Sequence, residues 1–280
     1  MKKAVQTVRQ FMEDNREARM DAYAAQSAFY IIMGLIPFVM LLLILIQYTP
    51  LTEEDLLNAL HDALPEAFWS YLEDLVRGIF VKNTAILSGT AIAALWACGR
   101  SVMSISNGLN SIYGLKETRN YILCRIRGVF YVMILLVSLL LALGMLVFGN
   151  TIHSILLVYI PALTRISDLI ILVRTGGVLV ALMLLIAAMY TYLPNIRRKF
   201  VTQLPGAALA AISWSVFSYV ISLYVGWKEK FTSIYGGLTM IVMIMLWLYF
   251  CMWLLFAGAQ FNRFYERAKI KNMLDKGMKI

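Results

Sequence analysis

The sequence predicts an all-α, polytopic integral membrane protein with six transmembrane helices, and three observations predict it. Of the 280 residues, 61% are hydrophobic and only 15% are charged, against about 45–50% and about 25% in an ordinary soluble domain. Mean hydropathy is +0.74. Charge is also unevenly placed: six stretches near the length of about 20 residues that crosses a bilayer carry almost no Asp, Glu, Lys or Arg. These runs are too long for the alternating strands of a β-barrel, and their backbone can satisfy its hydrogen bonds internally only as helix. Disorder, a disulfide-stapled secreted domain and most soluble enzymes are thereby excluded.

The elements follow in order along one membrane domain, 1–280. The leader up to residue 26 is amphipathic and mixed in charge, and reads as an interfacial helix feeding the first span, 27–47. Pro37 inside that span lacks an N–H and should kink it. The run starts late, after acidic residues and with no small-residue cleavage site behind it, so it does not fit a cleaved signal peptide. Residues 53–80 place Leu56, Leu57, Leu60, Leu64, Phe68, Leu72, Leu75, Val76 and Ile79 at helical spacing, with carboxylates on the other faces and Pro65 between two short helices. That external segment either caps the bundle or rests on the membrane. The second span is 84–106, and an amphipathic link, 107–127, leads to the third, 128–149. Segment 151–170 is apolar but short, broken by Pro161 and carrying Arg165 and Asp168; it extends the flanking helices, lies at the interface or re-enters. Spans 172–193, 204–226 and 236–261 complete the set.

Lys and Arg near span ends set orientation. Nineteen of the 25 fall on the side of both termini, and the other side holds Arg77, Lys82, Arg165, Arg174, Lys228 and Lys230. Both termini are therefore expected in the cytoplasm. The same distribution explains the net charge of +9 without a nucleic-acid partner, because the excess sits in juxtamembrane loops facing anionic head groups. Cys98, Cys124 and Cys251 have no metal-ligand spacing and read as reduced, mostly buried small hydrophobes. His61 and His153 stand alone, and no HExxH, GxSxG, Walker A or GxGxxG spacing occurs. No metal, cofactor or catalytic set is expected, since a hydrolase needs a nucleophile with its base, or a metal with its ligands.

What could carry function lies within the spans, where an ionisable residue is a functional hypothesis by default. Arg174 is near an external end and can snorkel. Arg100 shares one helix face with Gly89, Ala93, Trp96, Ser104, Asn107 and Ser111, a face that runs from small to cationic to polar. Ser215, Ser218 and Ser222 repeat the theme in the fifth span; Gln260 and Asn262 stand near the inner end of the sixth, and Gln26 and Tyr30 near that of the first. Such a stripe serves either as interhelical glue or as the lining of a cavity open to the cytoplasm, with Arg100 at its floor. The second reading favours an anionic or amphipathic ligand, because a desolvated guanidinium prefers a carboxylate or phosphate.

Six pieces carry a family resemblance: AAQSAFYIIMGLIP at 24–37, Trp96 with GRS at 99–101, GLNSIYGLKETR at 108–119, YTYLPN at 190–195, LPGAALAAISW at 204–214 and YGGLTMIVMIMLWLYFCMWLLFAGAQFN at 235–262. The ordered set resembles the YihY/BrkB family of bacterial inner-membrane proteins, once labelled ribonuclease BN. The resemblance implies a six-helix inner-membrane protein, with envelope-lipid or solute export and serum resistance among the proposed roles. It adds Asn110, Tyr113, Arg119, Pro194, Pro205, Gly206 and Tyr235 to Arg100 as candidate positions. That family commonly reads Gly-Ala-Glu where this chain has Gln260, which removes a titrating carboxylate from any mechanism here. The function expected is a transporter or flippase for an anionic or amphipathic, lipid-like molecule, with membrane lipids as partners. The alternative is a non-transporting scaffold or regulatory partner that uses 53–80. A nuclease is disfavoured, because the inner-side acids Glu13, Asp14, Glu17, Asp21, Glu117, Glu266 and Asp275 are scattered.

Overall fold

The computed structural model describes residues 12–46, 48–49, 52–55, 57, 73, 84–138, 140, 167–226 and 237–275. Six long helices are found among them: α1 (Met20–Ile46), α2 (Thr84–Tyr113), α3 (Tyr121–Ser138), α4 (Ser167–Tyr192), α5 (Phe200–Gly226) and α6 (Gly237–Asp275). The described residues contain no strand. Each expected span falls wholly or partly on one of these helices, and α1 continues through Pro37. By length and apolarity, Tyr121–Ser138, Phe200–Leu223 and Val242–Arg267 suffice to cross a membrane, and Leu179–Tyr192 is a shorter apolar stretch. Most of 53–80 and 151–166 lies outside the described residues, as do His61, His153 and Tyr235.

Local chemistry sets the helix ends. Residues 12–17 form a helical turn that stops at Arg19, whose φ of +50° is left-handed, and α1 starts at the next residue. α2 stops because Gly114 adopts φ +68°, letting the Leu115 N–H reach back to the Asn110 carbonyl at 2.8 Å. α4 stops ahead of Pro194, whose ring disfavours a helical residue before it. Thr52 and Asp55 exchange side-chain and backbone hydrogen bonds of 3.1 and 3.2 Å, a reciprocal cap on the turn that starts at residue 53.

The chain divides into two compact units. The first comprises 1–30, 103–120 and 173–280; the second comprises 31–102 and 121–172. In the second unit, Leu41, Ala94, Cys98, Val132 and Leu136 form a buried cluster, and the Cys98 thiol donates to the Gly34 carbonyl at 3.3 Å. Gly99 and Gly128 let α2 and α3 touch: a Cβ on Gly128 would sit 2.5 Å from the Gly99 oxygen. One assignment changes here. Arg125, which falls within the 107–127 link expected before the third span, belongs to α3 and is only 2% exposed. Tyr121, Ile122, Leu123 and Ile126 start the apolar helix earlier than residue 128, and Arg125 folds back against Trp96. Its guanidinium lies 4.5 Å from the Trp96 ring centroid and donates to the Trp96 carbonyl, so the charge is held by π-face and backbone oxygen together.

Candidate functional site

The first unit holds the polar residues that sequence patterning singles out at the ends of several helices. α5 and α6 meet at Gly206 and Gly258, where a Cβ on Gly258 would lie 2.5 Å from the Gly206 oxygen and 2.6 Å from the Tyr190 hydroxyl. Only glycine allows that approach. Beside it, the Asn262 side chain accepts from the Gly206 N–H at 2.7 Å and donates to the Gln203 carbonyl at 2.9 Å. Gln203, itself buried, accepts from the Tyr113 hydroxyl at 2.9 Å and from Asn262 at 3.2 Å. Arg198 stacks on the Tyr113 ring at 4.1 Å and pairs with Glu266. Tyr190 donates to the Leu255 carbonyl. The sixth helix is thereby tied to α2, α4, α5 and the turn before α5.

A second group forms around the connection after α2. Asn110 donates to Glu117 at 2.8 Å and accepts from the Asn195 N–H at 2.7 Å. The Asn195 side chain donates to the Lys116 carbonyl and the Thr118 hydroxyl at 2.9 and 3.0 Å. Glu117 also receives Arg119 through its Nε and Nη2, each at 2.7 Å. Those Arg119 hydrogen bonds, helped by Asn110, hold the Glu117 carboxyl below the usual carboxylate range against a smaller effect of burial. Ser27 of α1 and Ser104 of α2 share a hydrogen bond of 3.1 Å, and Ser106 and Ser111 of α2 donate to the Leu193 and Ala18 carbonyls.

The candidate residues therefore separate by role. Ser104, Asn110 and Asn262 are buried and bonded between segments of the unit. Gln26 and Ser215 are exposed, Tyr30 and Asn107 are half-buried, and half-buried Ser218 accepts from the Trp247 indole at 3.3 Å. Arg100 belongs to the second unit and is exposed beside buried Gly99 and Ser101. Pro205 is exposed and Pro194 is buried. Gln260 stands apart: it is 1% exposed, yet neither its Oε1 nor its Nε2 has a hydrogen-bond partner. An unsatisfied buried amide is unfavourable by about 1–3 kcal/mol, and neighbouring Asn262, two residues on, has its amide fully engaged.

Several of the acids expected on the inner side are engaged with neighbours. Asp14 meets Arg267 at 3.1 Å, Asp21 accepts from the Trp253 indole at 2.9 Å and Glu266 pairs with Arg198. Among the described residues no three His, Cys, Asp or Glu side chains gather as metal ligands. Patterning missed Gln203, Tyr190 and Arg125, the first because it precedes the apolar run, the second because a tyrosine within such a run looks like core.

Bulky side chains point outward along two of the helices: Ile122, Ile126, Phe130, Ile134 and Val137 on α3, and Val201, Ile212, Val216, Tyr219 and Leu223 on α5. Exposed apolar surface on this scale belongs to a protein solvated by lipid, so the fold defines a helical membrane protein. Within that class, the chain belongs to the family described as Virulence factor BrkB, which it matches over residues 11–278. It is 27% identical over 247 residues to the ribonuclease-like protein YfkH of Bacillus subtilis, covering 88% of this chain and 90% of that one. It is 24% identical to a UPF0761 membrane protein of Photobacterium profundum, over 86% of this chain and 75% of the relative. A UPF0761 membrane protein of Idiomarina loihiensis is 25% identical over 74% and 71% of the two chains. No solved structure matches.

Proposed function

We propose that this protein is a transporter or flippase of the bacterial cytoplasmic membrane, with six spans and both termini inside, acting on an anionic or amphipathic, lipid-like molecule without enzymatic chemistry. One observation carries the reading. Gln260 lies buried with neither end of its amide partnered, while nearby Asn262, Gln203 and Tyr113 are hydrogen-bonded to one another, and a polar group left without partners in an apolar protein is best accounted for by a molecule that visits it. Lipid accompanies the reading as solvent and as substrate class. Exposed Arg100 supplies a cation that an anionic head group can meet from the bilayer. The ribonuclease-like name of the Bacillus relative is no part of the proposal, because the inner-side acids Asp14, Glu117 and Glu266 are engaged in ion pairs.

The test is reconstitution in vesicles with fluorescent anionic phospholipid. Movement between leaflets above protein-free vesicles, reduced in Gln260→Leu and Arg100→Ala, is the expected result. Equal movement with all three proteins defeats the reading. A second reading, a non-transporting scaffold, has its own support: Ser104, Asn110 and Asn262 are all bonded between segments of the first unit, as interhelical glue would be. It predicts no movement, and loss of a bound envelope partner on deletion of 53–80.

A further inference from the structure

The row Trp253, Phe256, Gln260, Arg263 and Arg267 repeats every three or four residues along α6 and shares one face. Its neighbours in the first unit are known at every other position. Trp253 meets Asp21, the Phe256 ring lies against Gly108, Arg263 donates to the Ile112 carbonyl, and Arg267 meets Asp14. Gln260 thus lies between two turns of α6 that pack on 108–112 of α2 and on the start of the chain. The 12–17 turn is brought to the same stretch of α2 by the residue that follows it: Ala18 donates its N–H back to the Asp14 carbonyl and accepts from Ser111 at 2.8 Å. That turn carries the other unpartnered buried side-chain oxygen of this region, Asn15 Oδ1.

We propose that Asn15 and Gln260 belong to one closed hydrogen-bonding site that takes a neutral, hydroxyl-bearing head group of the glycerol type, and that the 12–17 turn covers it as a strap. The chemistry of the unmet groups selects the ligand. Asn15 Oδ1 and Gln260 Oε1 each need a donor, while Gln260 Nε2 needs an acceptor. A bare phosphate offers acceptors only, and an ammonium offers donors only. Two neighbouring hydroxyls offer both. The strap has a built-in pivot, since Arg19 at φ +50° separates it from α1, a conformation that a non-glycine residue adopts at some strain. The strap is held in part by the Asp14–Arg267 pair, an exposed surface contact of the kind that opens readily.

The inference rests on the transport reading for its ligand, and the experiment separates the two. Full-length protein in detergent is given equal phosphatidylglycerol and phosphatidic acid, which share the phosphate and differ in the terminal glycerol, and retained lipid is weighed by native mass spectrometry. Phosphatidylglycerol is expected to be retained about five- to ten-fold over phosphatidic acid, the worth of about one hydrogen bond. In Gln260→Leu the ratio should fall to about one with total anionic lipid unchanged. Displacement by sn-glycerol 3-phosphate in solution would assign the same chemistry to a soluble ligand. Equal retention by the unaltered protein, or an unchanged ratio in Gln260→Leu, overturns the site and leaves water as the partner of the amide. Circular dichroism checks folding; should Gln260→Leu fail it, Asn15→Ala must lower the same ratio. Preference without lipid movement in vesicles would remove transport and keep the site, and movement without preference would do the reverse.

Discussion

At the scale of single residues, Asn262 and Gly206 show how a polar group and a missing side chain depend on each other. The Gly206 N–H donates to Asn262 only because α5 comes close enough, and α5 comes close because position 206 has no Cβ. A Cβ there would meet the Gly258 oxygen and lie 2.6 Å from the Asn262 amide carbon. Gly206→Ala should therefore destabilise the protein by about 1–3 kcal/mol, seen as a lower midpoint of thermal unfolding in detergent. Gly177→Ala, with nothing within 4 Å of its Cβ, should leave the midpoint unchanged or slightly raised. Asn262→Leu should cost about 1–3 kcal/mol through the polar groups it strands. Periodicity and residue type place Ser104, Asn110 and Asn262 on polar faces. They do not say which groups find partners, because that depends on helix spacings of a few ångströms. Gln260 and Asn262 look alike in sequence and differ entirely in satisfaction.

At the scale of elements, the connection after α2 is a hydrogen-bonded clasp built on Glu117. Its pH response follows in sign from the depressed carboxyl. The contribution is complete above the ordinary carboxylate pKa of 4.5 and disappears as pH falls through the lower folded value. Hydrogen exchange at the Asn195 amide, corrected for intrinsic rate, should stay protected from pH 8 to 5 and loosen only in stronger acid. Glu117→Gln should weaken that protection at neutral pH and abolish its response to acid. Positions of the helices were readable from apolar runs, since every expected span lies at least partly on a described helix. Their ends were less so. α2 runs on to Tyr113 and α6 to Asp275, beyond the apolar stretches, because amphipathic turns continue a helix where hydropathy falls. The beginning of α3 hid behind Arg125, whose charge looks like a loop until Trp96 is seen to cover it.

At the scale of the whole molecule, the exposed apolar side chains of α3 and α5 and the family match agree with a composition that excludes water as the main solvent. The bias of 25 basic residues makes an orientation prediction independent of any substrate. With the natural cysteines replaced, a cysteine at Lys116 or Lys199 should resist a membrane-impermeant thiol reagent in intact cells, and one at Lys228 should react. Labelling in the opposite sense would invert the proposed topology.

The Gly206–Gly258 crossing has a mechanical corollary. Main chains in direct touch have no flexible side chains between them to absorb sliding, so α5 and α6 would travel as a single lever. Any cycle of opening and closing must then be accommodated at their outer faces, and a crosslink locking this pair together should leave turnover intact.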